Sequence, residues 1–595
     1  MSRYYIQVEA VNLNHFVYDT HDISTIRGGS FLLLESIYEL EKRFDKYLTP
    51  ISTAASQGVF RVEFESVDDE DEVIRDEASS DEAFHQASSS QKSSWWARLF
   101  SWLGGASDRG ATSGADVAGS SESIQSGSIK DEIYHTPAEL ELGILEFLKE
   151  ETGGHATFIT AVEEEEDEFA LVLQRLQATI RRKQLQMPTV AIPQFVDGVT
   201  SECFLDGWRP AADFYDGQWD GAEAERPLIS GSTSFRRARG RDLKHDVIQR
   251  ILKNANDDLD KNSAGNLGDL SDLKTKGVLH HKIAYIYVDG NAFGKIRGRL
   301  CRTDDARRDF DKAIQDGCRE PFLERLIAEI DSDSEQDLLI HKDDGSVERR
   351  FELLLWGGDE FVIVVPAWYG FRALELFYEE AAKLTFMDTE LSHRAALVFA
   401  HHNAPILQVR RIAEELLGET RQNIAKRMEV AFGADDSLFD EMRAQMLGEL
   451  SSHVYGNGFQ YLVLKSFDMI RGSLEEFLTE YYRLKERDKL LLYAGEFKDV
   501  VKNLSVLHRH LARGKVLEVI DGIGNEQTVD PVVLRKELLR GVSPAAEDEL
   551  AAPLKWLLDG PDAQWHWVAD LWGYIPVRRE IAEKSELQGV NNGAV

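Results

Sequence analysis

Positive charge is scarce in this chain. Its 595 residues carry 68 Lys and Arg against 104 Asp and Glu, a formal net charge of −36. That balance argues against a broad nucleic-acid surface, because contact with phosphates requires Lys and Arg. Cysteine is scarcer still: Cys203, Cys301 and Cys318 are the full set and show no CxxC spacing. Neither a zinc ribbon nor a disulfide framework is indicated, and a reducing, cytoplasmic setting fits. No window approaches ~18 uninterrupted apolar residues, so no transmembrane helix is expected. The opening Met-Ser-Arg-Tyr-Tyr-Ile-Gln-Val-Glu lacks a signal-peptide apolar core and reads as a strand. What remains is a chain of globular composition, 43% hydrophobic, long enough for three or four domains with sizeable cores.

Hydrophobic periodicity along the chain predicts one supersecondary unit twice. In the first copy, 3–11 is a strand and 29–47 a helix. Residues 51–64 form a hairpin pivoting near Ser56-Gln57-Gly58. Helix 137–150, strand 156–162 and helix 166–185 follow. An insertion from about 66 to 130, opening with five acids from Asp68 to Glu72 and rich in Ser, Gly and Ala, is expected to be disordered. Within it, Trp95 to Leu103 is an aromatic stretch suited to a membrane interface, a partner groove or the protein's own surface. In the second copy, a strand ends at Val288 and helices cover 306–331. Hairpin 351–365 pivots on Gly357-Gly358, followed by helix 371–384, strand 394–401 and helix 406–421. Residues 196–275 read as an irregular connector, and 471–595 as a helical domain without a chemical motif. The resulting division is 1–195, 196–275, 276–470 and 471–595.

Two runs carry chemistry. Ile283-Ala-Tyr-Ile-Tyr-Val-Asp289-Gly290-Asn291-Ala-Phe293-Gly294-Lys295 ends a buried strand on a carboxylate. Leu353-Leu-Leu-Trp356-Gly357-Gly358-Asp359-Glu360-Phe361 places two more in a glycine turn. Strands folded side by side would bring these acids together, and converging carboxylates repel unless a cation joins them. Oxygen-only ligands suit Mg²⁺ or Mn²⁺, ions that accompany nucleoside triphosphates. At the matching pivot of the first copy stands Ala55-Ser56-Gln57-Gly58, without acids, so that copy reads as catalytically silent. The basic stretches Ser234–Lys244 and Arg297-Gly-Arg299 are either solvated loops or contacts to triphosphate or RNA. His401 and His402 end a strand, in packing or in substrate contact.

Gly357-Gly358-Asp359-Glu360-Phe361 resembles the diguanylate cyclase signature. Asp289-Gly-Asn-Ala-Phe-Gly-Lys295 resembles the Asp-Gly-Asp-x-x-Gly segment in the large palm subunit of type III CRISPR effector complexes. Ala400-His401-His402-Asn-Ala-Pro405-Ile406 and Asn457-Gly-Phe-Gln-Tyr-Leu-Val-Leu-Lys465 resemble that subunit's later strand-to-helix passage and closing strand. The chain departs from the family at Glu360, where Asp is usual, and at Asn291. No HD nuclease domain is expected, since His21-Asp22 stands in the first palm without other metal ligands, and Cys203 stands alone where the family often has zinc-binding cysteines between the palms. The resemblance implies an α+β fold of two ferredoxin-like palms, the first degenerate, plus a C-terminal helical domain. It implies a nucleotidyltransferase making a cyclic nucleotide or cyclic oligonucleotide from ATP or another triphosphate, in antiviral defence, with an RNA or protein activator and a nucleotide-activated effector downstream. The alternative is a non-catalytic nucleotide- or RNA-binding scaffold of a CRISPR-like assembly.

Such chemistry needs one ion to activate a 3′-hydroxyl and another to neutralise the leaving phosphates. Asp289 and Asp359 are the expected metal bridges, and Glu360 a third ligand or base. Gly290, Asn291, Phe293, Gly294, Gly357 and Gly358 are expected around the nucleotide. Arg421, then Lys426, are expected on the triphosphate tail, with Lys295 on the other side.

Overall fold

The computed structural model describes residues 2–54, 56–64, 133–165, 168–187, 201–217, 225–252, 262–263, 266–273, 277–333, 337–432, 456–465, 473–482, 490–524 and 531–575. The insertion, with Trp95–Leu103, lies outside them. By its internal contacts the chain divides into a small unit, 1–2 with 64–136, and a large one, 3–63 with 137–595, that holds all the elements discussed below.

The first repeat runs β1 (Ser2–Val11), α1 (Ile23–Arg43), β2 (Leu48–Ala54), β3 (Gln57–Phe64), α2 (Pro137–Glu151), β4 (Thr157–Glu164) and α3 (Phe169–Gln186). Its sheet has the order β2-β3-β1-β4. α1 begins six residues earlier than its apolar periodicity predicts, because Asp22 caps it: the Thr25 N–H donates to Asp22 Oδ1 at 2.8 Å.

The stretch read as irregular contains a 21-residue helix, α4 (Gly231–Ile251), which corrects that expectation. It has no apolar stripe to announce it. Its buried residues include Arg236 and Arg237, paired with Asp19 and Asp22 from the first repeat, with apolar Val247, Ile248 and Ile251 only in its last turns. α4 crosses α1 at glycine: a Cβ on Gly28 would lie 1.7 Å from the Arg236 carbonyl oxygen, and one on Gly240 2.1 Å from that of Ser24. Backbone meets backbone there. Arg236 and Arg237 are therefore internal counter-charges, as is Lys244 against Glu352 at 3.0 Å, whereas Arg241 is exposed.

The second repeat runs β5 (Lys282–Gly290), α5 (Phe293–Leu300), α6 (Asp304–Ile314), a π-helical turn (Gln315–Arg319), α7 (Glu320–Asp331), β6 (Glu352–Trp356), β7 (Phe361–Pro366), α8 (Gly370–Ala381), β8 (His393–His401), α9 (Ile406–Phe432) and β9 (Gly458–Val463). Its sheet has the order β6-β7-β5-β8-β9-β10. The first four strands repeat the order of the N-terminal sheet, β9 runs parallel to β8, and β10 (Leu492–Tyr493) comes from the stretch expected to be all helical. β5 is buried on both sides. Phe322 of α7 and Phe377 of α8 stack on Phe361 at 5.4 and 5.1 Å, on one face. α9 covers the other, where Thr420 Oγ donates to Gln460 of β9 at 3.1 Å. The C-terminal helices close around buried Trp565, Trp567 and Leu571. Among the described residues no helix is long and apolar enough to cross a membrane.

Polar bonds tie the two repeats. Arg27 of α1 donates to Glu352 of β6 at 2.6 Å, and both are almost wholly buried. Burial pushes the Glu352 carboxyl up, yet Arg27 and Lys244 hold it below its ordinary value. Arg61 of β3 pairs with Asp304 of α6 at 2.8 Å. Arg308 of α6 donates to the Pro50 carbonyl at 2.9 Å, and Ser52 bonds Asp311.

Candidate active site

Sheet register assembles the acidic cluster. β7 is antiparallel to β5 with Phe361 opposite Val288, so the next pair at that end of the sheet is Glu360 beside Asp289. On its other side β5 pairs with β8, and Arg394 faces Asp289. Asp289 is therefore flanked by an acid from one strand and a cation from the other.

Burial pushes the Asp289 carboxyl up to about 6. Arg394 opposes that rise, while Asp359 and Glu360 add to it. Arg394 binds Asp289 Oδ2 and also donates to the Gly290 carbonyl (3.1 Å) and Asn291 Oδ1 (3.2 Å). The Tyr287 hydroxyl donates to Glu360 Oε2 at 2.7 Å. This bond orients one carboxylate and lifts the phenol above its ordinary range together with burial.

The Gly357–Glu360 turn is held from beneath by Arg319. Its guanidinium is fully buried, lies 4.0 Å over the Trp356 ring, and donates to the carbonyls of Gly357 and Gly358. Burial lowers it to about 10, with Asp359 opposing. The π-helical turn that ends at Arg319 brings this side chain inward; such turns recur at functional sites. The first repeat abuts the same turn: a Cβ on Gly358 would sit 3.4 Å from the Ala54 Cβ. The two hairpin tips meet.

Not every expected residue serves as predicted. Phe293 is 2% exposed and packs edge-on to Phe310 and His393. It supports Gly290, whose Cβ would fall 2.5 Å from its ring, and offers no face to a nucleotide. Asn291 is engaged with Ser392 Oγ (3.1 Å) and the Gly456 carbonyl (2.9 Å), bracing two loops. Gly294 and Lys295 are exposed on α5. Arg421 is exposed on α9, beside Thr420, rather than among the carboxylates; the Lys426 side chain lies outside the described residues. The cation at the carboxylates is Arg394, which sequence reasoning missed because strand pairing is invisible in the sequence. Arg319 was missed for the same reason.

The donor set suits a hard divalent cation: oxygen only, with more negative charge than Arg394 alone offsets. Yet the side chains are not drawn into a finished cage. Among the described residues, those whose ligand atoms all fall within 4.8 Å of one another are Asp272, His280 and His281. Asp289, Asp359 and Glu360 are further apart, and Asp289 is turned to Arg394.

No protein-family model matches the chain, and no curated protein does. Among solved structures, it is similar to Csm1 in T. onnurineus, at TM-score 0.43 and 12% identity over 97% of this chain and 70% of that one. It is similar to the Csm1–Csm4 cassette with pppApA at TM-score 0.36 and 11% identity, over 71% of this chain and 53% of that one. A type III-B Cmr-beta structure in its apo state gives TM-score 0.35 and 9% identity, over 70% and 67%. These scores are all below 0.5, and the chemistry of the site stands on this chain's own residues.

Proposed function

We propose that the chain is a two-palm, metal-dependent nucleotidyltransferase that links nucleoside triphosphates into a cyclic nucleotide or cyclic oligonucleotide. The observation that carries this reading is the register that sets Glu360 beside Asp289 at the strand end, with Asp359 in the adjoining glycine turn. The proposal names ATP as triphosphate; several of the similar structures are complexes with pppApA, AMPPNP, cA3 or cA4. A type III CRISPR-like antiviral setting, with an RNA or protein activator, belongs to the same proposal.

Asp289, Asp359 and Glu360 would hold Mg²⁺ or Mn²⁺. Such ions lower the pKa of a ribose hydroxyl and neutralise leaving phosphates. The chain's own residues do the rest. Arg319 fixes the turn's carbonyls and hence the heading of Asp359. Tyr287 fixes Glu360. Arg394 compensates Asp289 in the metal-free protein; were that carboxylate to hold a cation instead, the guanidinium would stand beside the site as a forked donor suited to phosphate oxygens. Ala54, at the tip of the first repeat, borders the turn from the other side and would give the second nucleotide a wall.

A binding-only reading is favoured by one observation, the engagement of Asp289 by Arg394. Labelled ATP with Mn²⁺ separates the two. Cyclic product from the wild type, lost in Asp359→Ala, supports the transferase. Stable ATP binding without turnover under every activator tried supports the scaffold.

A further inference from the structure

The opposite end of the catalytic sheet carries a second constellation. Antiparallel pairing of β5 and β8 sets Lys282 against His401. The two His-His dipeptides, His280-His281 before β5 and His401-His402 at the end of β8, therefore meet. The His281 ring lies 3.6 Å from that of His280, 4.8 Å from that of His402 and 6.0 Å from that of His401, centroid to centroid. Asp272 adds a carboxylate, 2.7 Å from His280 Nε2.

Three details show these side chains held rather than loose. The His402 N–H donates to the His281 carbonyl at 2.9 Å, and the His281 N–H to that of Ser271 at 2.9 Å. His281 has φ 61°, a left-handed conformation that costs a non-glycine residue energy. Its Nδ1 is shut from solvent with no hydrogen-bond partner, an exception among buried polar atoms. The His402–His281 bond extends the β5–β8 ladder and fixes the two dipeptides side by side; the unpartnered Nδ1 is the feature that a shared ligand would explain.

We propose that Asp272, His280 and His281, with His402 as the fourth donor, form a site for one transition-metal ion of the zinc class. Imidazole with a single carboxylate suits Zn²⁺, Co²⁺ or Ni²⁺, not Mg²⁺, and four such donors match a closed tetrahedral site. The ligand atoms of the first three already lie within 4.8 Å of one another. The site is separate from the acidic cluster: Lys282 to Asp289 is seven strand steps, roughly 23 Å. It would clip the loop at Asp272 to the start of β5 and the end of β8, bracing the strand that carries Asp289 at its far end.

The test uses untagged full-length protein, stripped with chelator, loaded with Zn²⁺ and desalted, its metal measured by mass spectrometry. Co²⁺ loading followed by visible absorption reads the geometry. The wild type should retain one equivalent and show the bands of four-coordinate Co²⁺. Asp272→Asn and His402→Gln should each weaken binding at least tenfold, and His280→Gln/His281→Gln should abolish it. The Asp272 side chain is 62% exposed, so its replacement leaves the fold intact even where the double histidine variant fails to fold. Asp289→Asn/Asp359→Asn should retain the equivalent. No Zn²⁺ retained by the wild type, or retention unchanged in Asp272→Asn and His402→Gln, overturns the proposal. So does loss of the equivalent in the Asp289/Asp359 variant.

Discussion

Asp289→Asn should make the metal-free protein more stable near neutral pH and leave it nearly unchanged near pH 3, below both titration points. In the folded chain burial lifts this carboxyl from 3.8 to about 6. The folded state therefore holds the proton more tightly than the unfolded one. Between those two values it binds more protons, so this group's contribution falls as pH rises through the window and stays low above it. Two units correspond to about 3 kcal/mol. Asn keeps the shape without the charge. Arg394 loses its carboxylate but keeps the Gly290 carbonyl and Asn291 Oδ1, at 3.1 and 3.2 Å. The rise to about 6 already includes the opposing pull of Arg394, so the net gain at neutral pH is roughly 2–3 kcal/mol. Equilibrium urea unfolding in chelator, at both pH values, measures it. Added Mg²⁺ should stabilise the wild type, through binding to the folded state alone, and not the variant. Equal or lower stability of Asp289→Asn at both pH values would refute the argument, because Arg394 would then more than compensate the buried charge.

Glu352→Gln removes the carboxylate shared by Arg27 and Lys244 in a site that is only 2–13% exposed, although Arg27 keeps the Gly240 carbonyl at 2.7 Å. It should cost about 3–5 kcal/mol, read as a lowered urea midpoint; a loss below 1 kcal/mol would show that water reaches the pair. Gly28→Ala forces α1 from α4 and should cost about 3 kcal/mol or more, visible as loss of soluble protein or of thermal stability. Arg319→Lys keeps a charge but not the planar guanidinium that lies over Trp356 and aims Nη1 at the carbonyls of Gly357 and Gly358. It should lower turnover about 100-fold through misplacement of Asp359 with triphosphate binding little changed, and an unaltered kcat would remove Arg319 from the positioning of the turn.

The second repeat was legible because its strands are near-continuous apolar runs and its turn is punctuated by two glycines. Its β8 and β7 segments fall within one or two residues of the expected bounds. The first repeat was legible from the same pattern, without acids. α4 was not, because periodicity detects apolar stripes, whereas the first half of its buried face is polar and cationic and apolar residues enter only at Val247, Ile248 and Ile251. Arg236 and Arg237 read as solvent-exposed until Asp19, Asp22 and Asp216, from distant segments, come against them. The site divided along the same line. Asp289, Asp359 and Glu360 stand in local motifs and could be named. Arg394 and Arg319 reach them only through strand pairing and helix docking, which no local pattern encodes. Arg421 and Lys295, nominated by position relative to a motif, lie exposed on helix surfaces, and Phe293 belongs to the core.

The Arg27–Glu352 pair also sets a schedule for synthesis. The two residues are 325 positions apart in the chain. At ~5–20 residues per second, the ribosome delivers the second roughly 15–65 s after the first. For that interval the nascent N-terminal sheet carries a cation designed for burial with no carboxylate to meet it, and the glycine face of α1 waits on Gly240. Until then the α1 face that carries Arg27 and Gly28 stays open to water, and a ribosome that stops short of β6 releases a first repeat whose α1 face remains unburied.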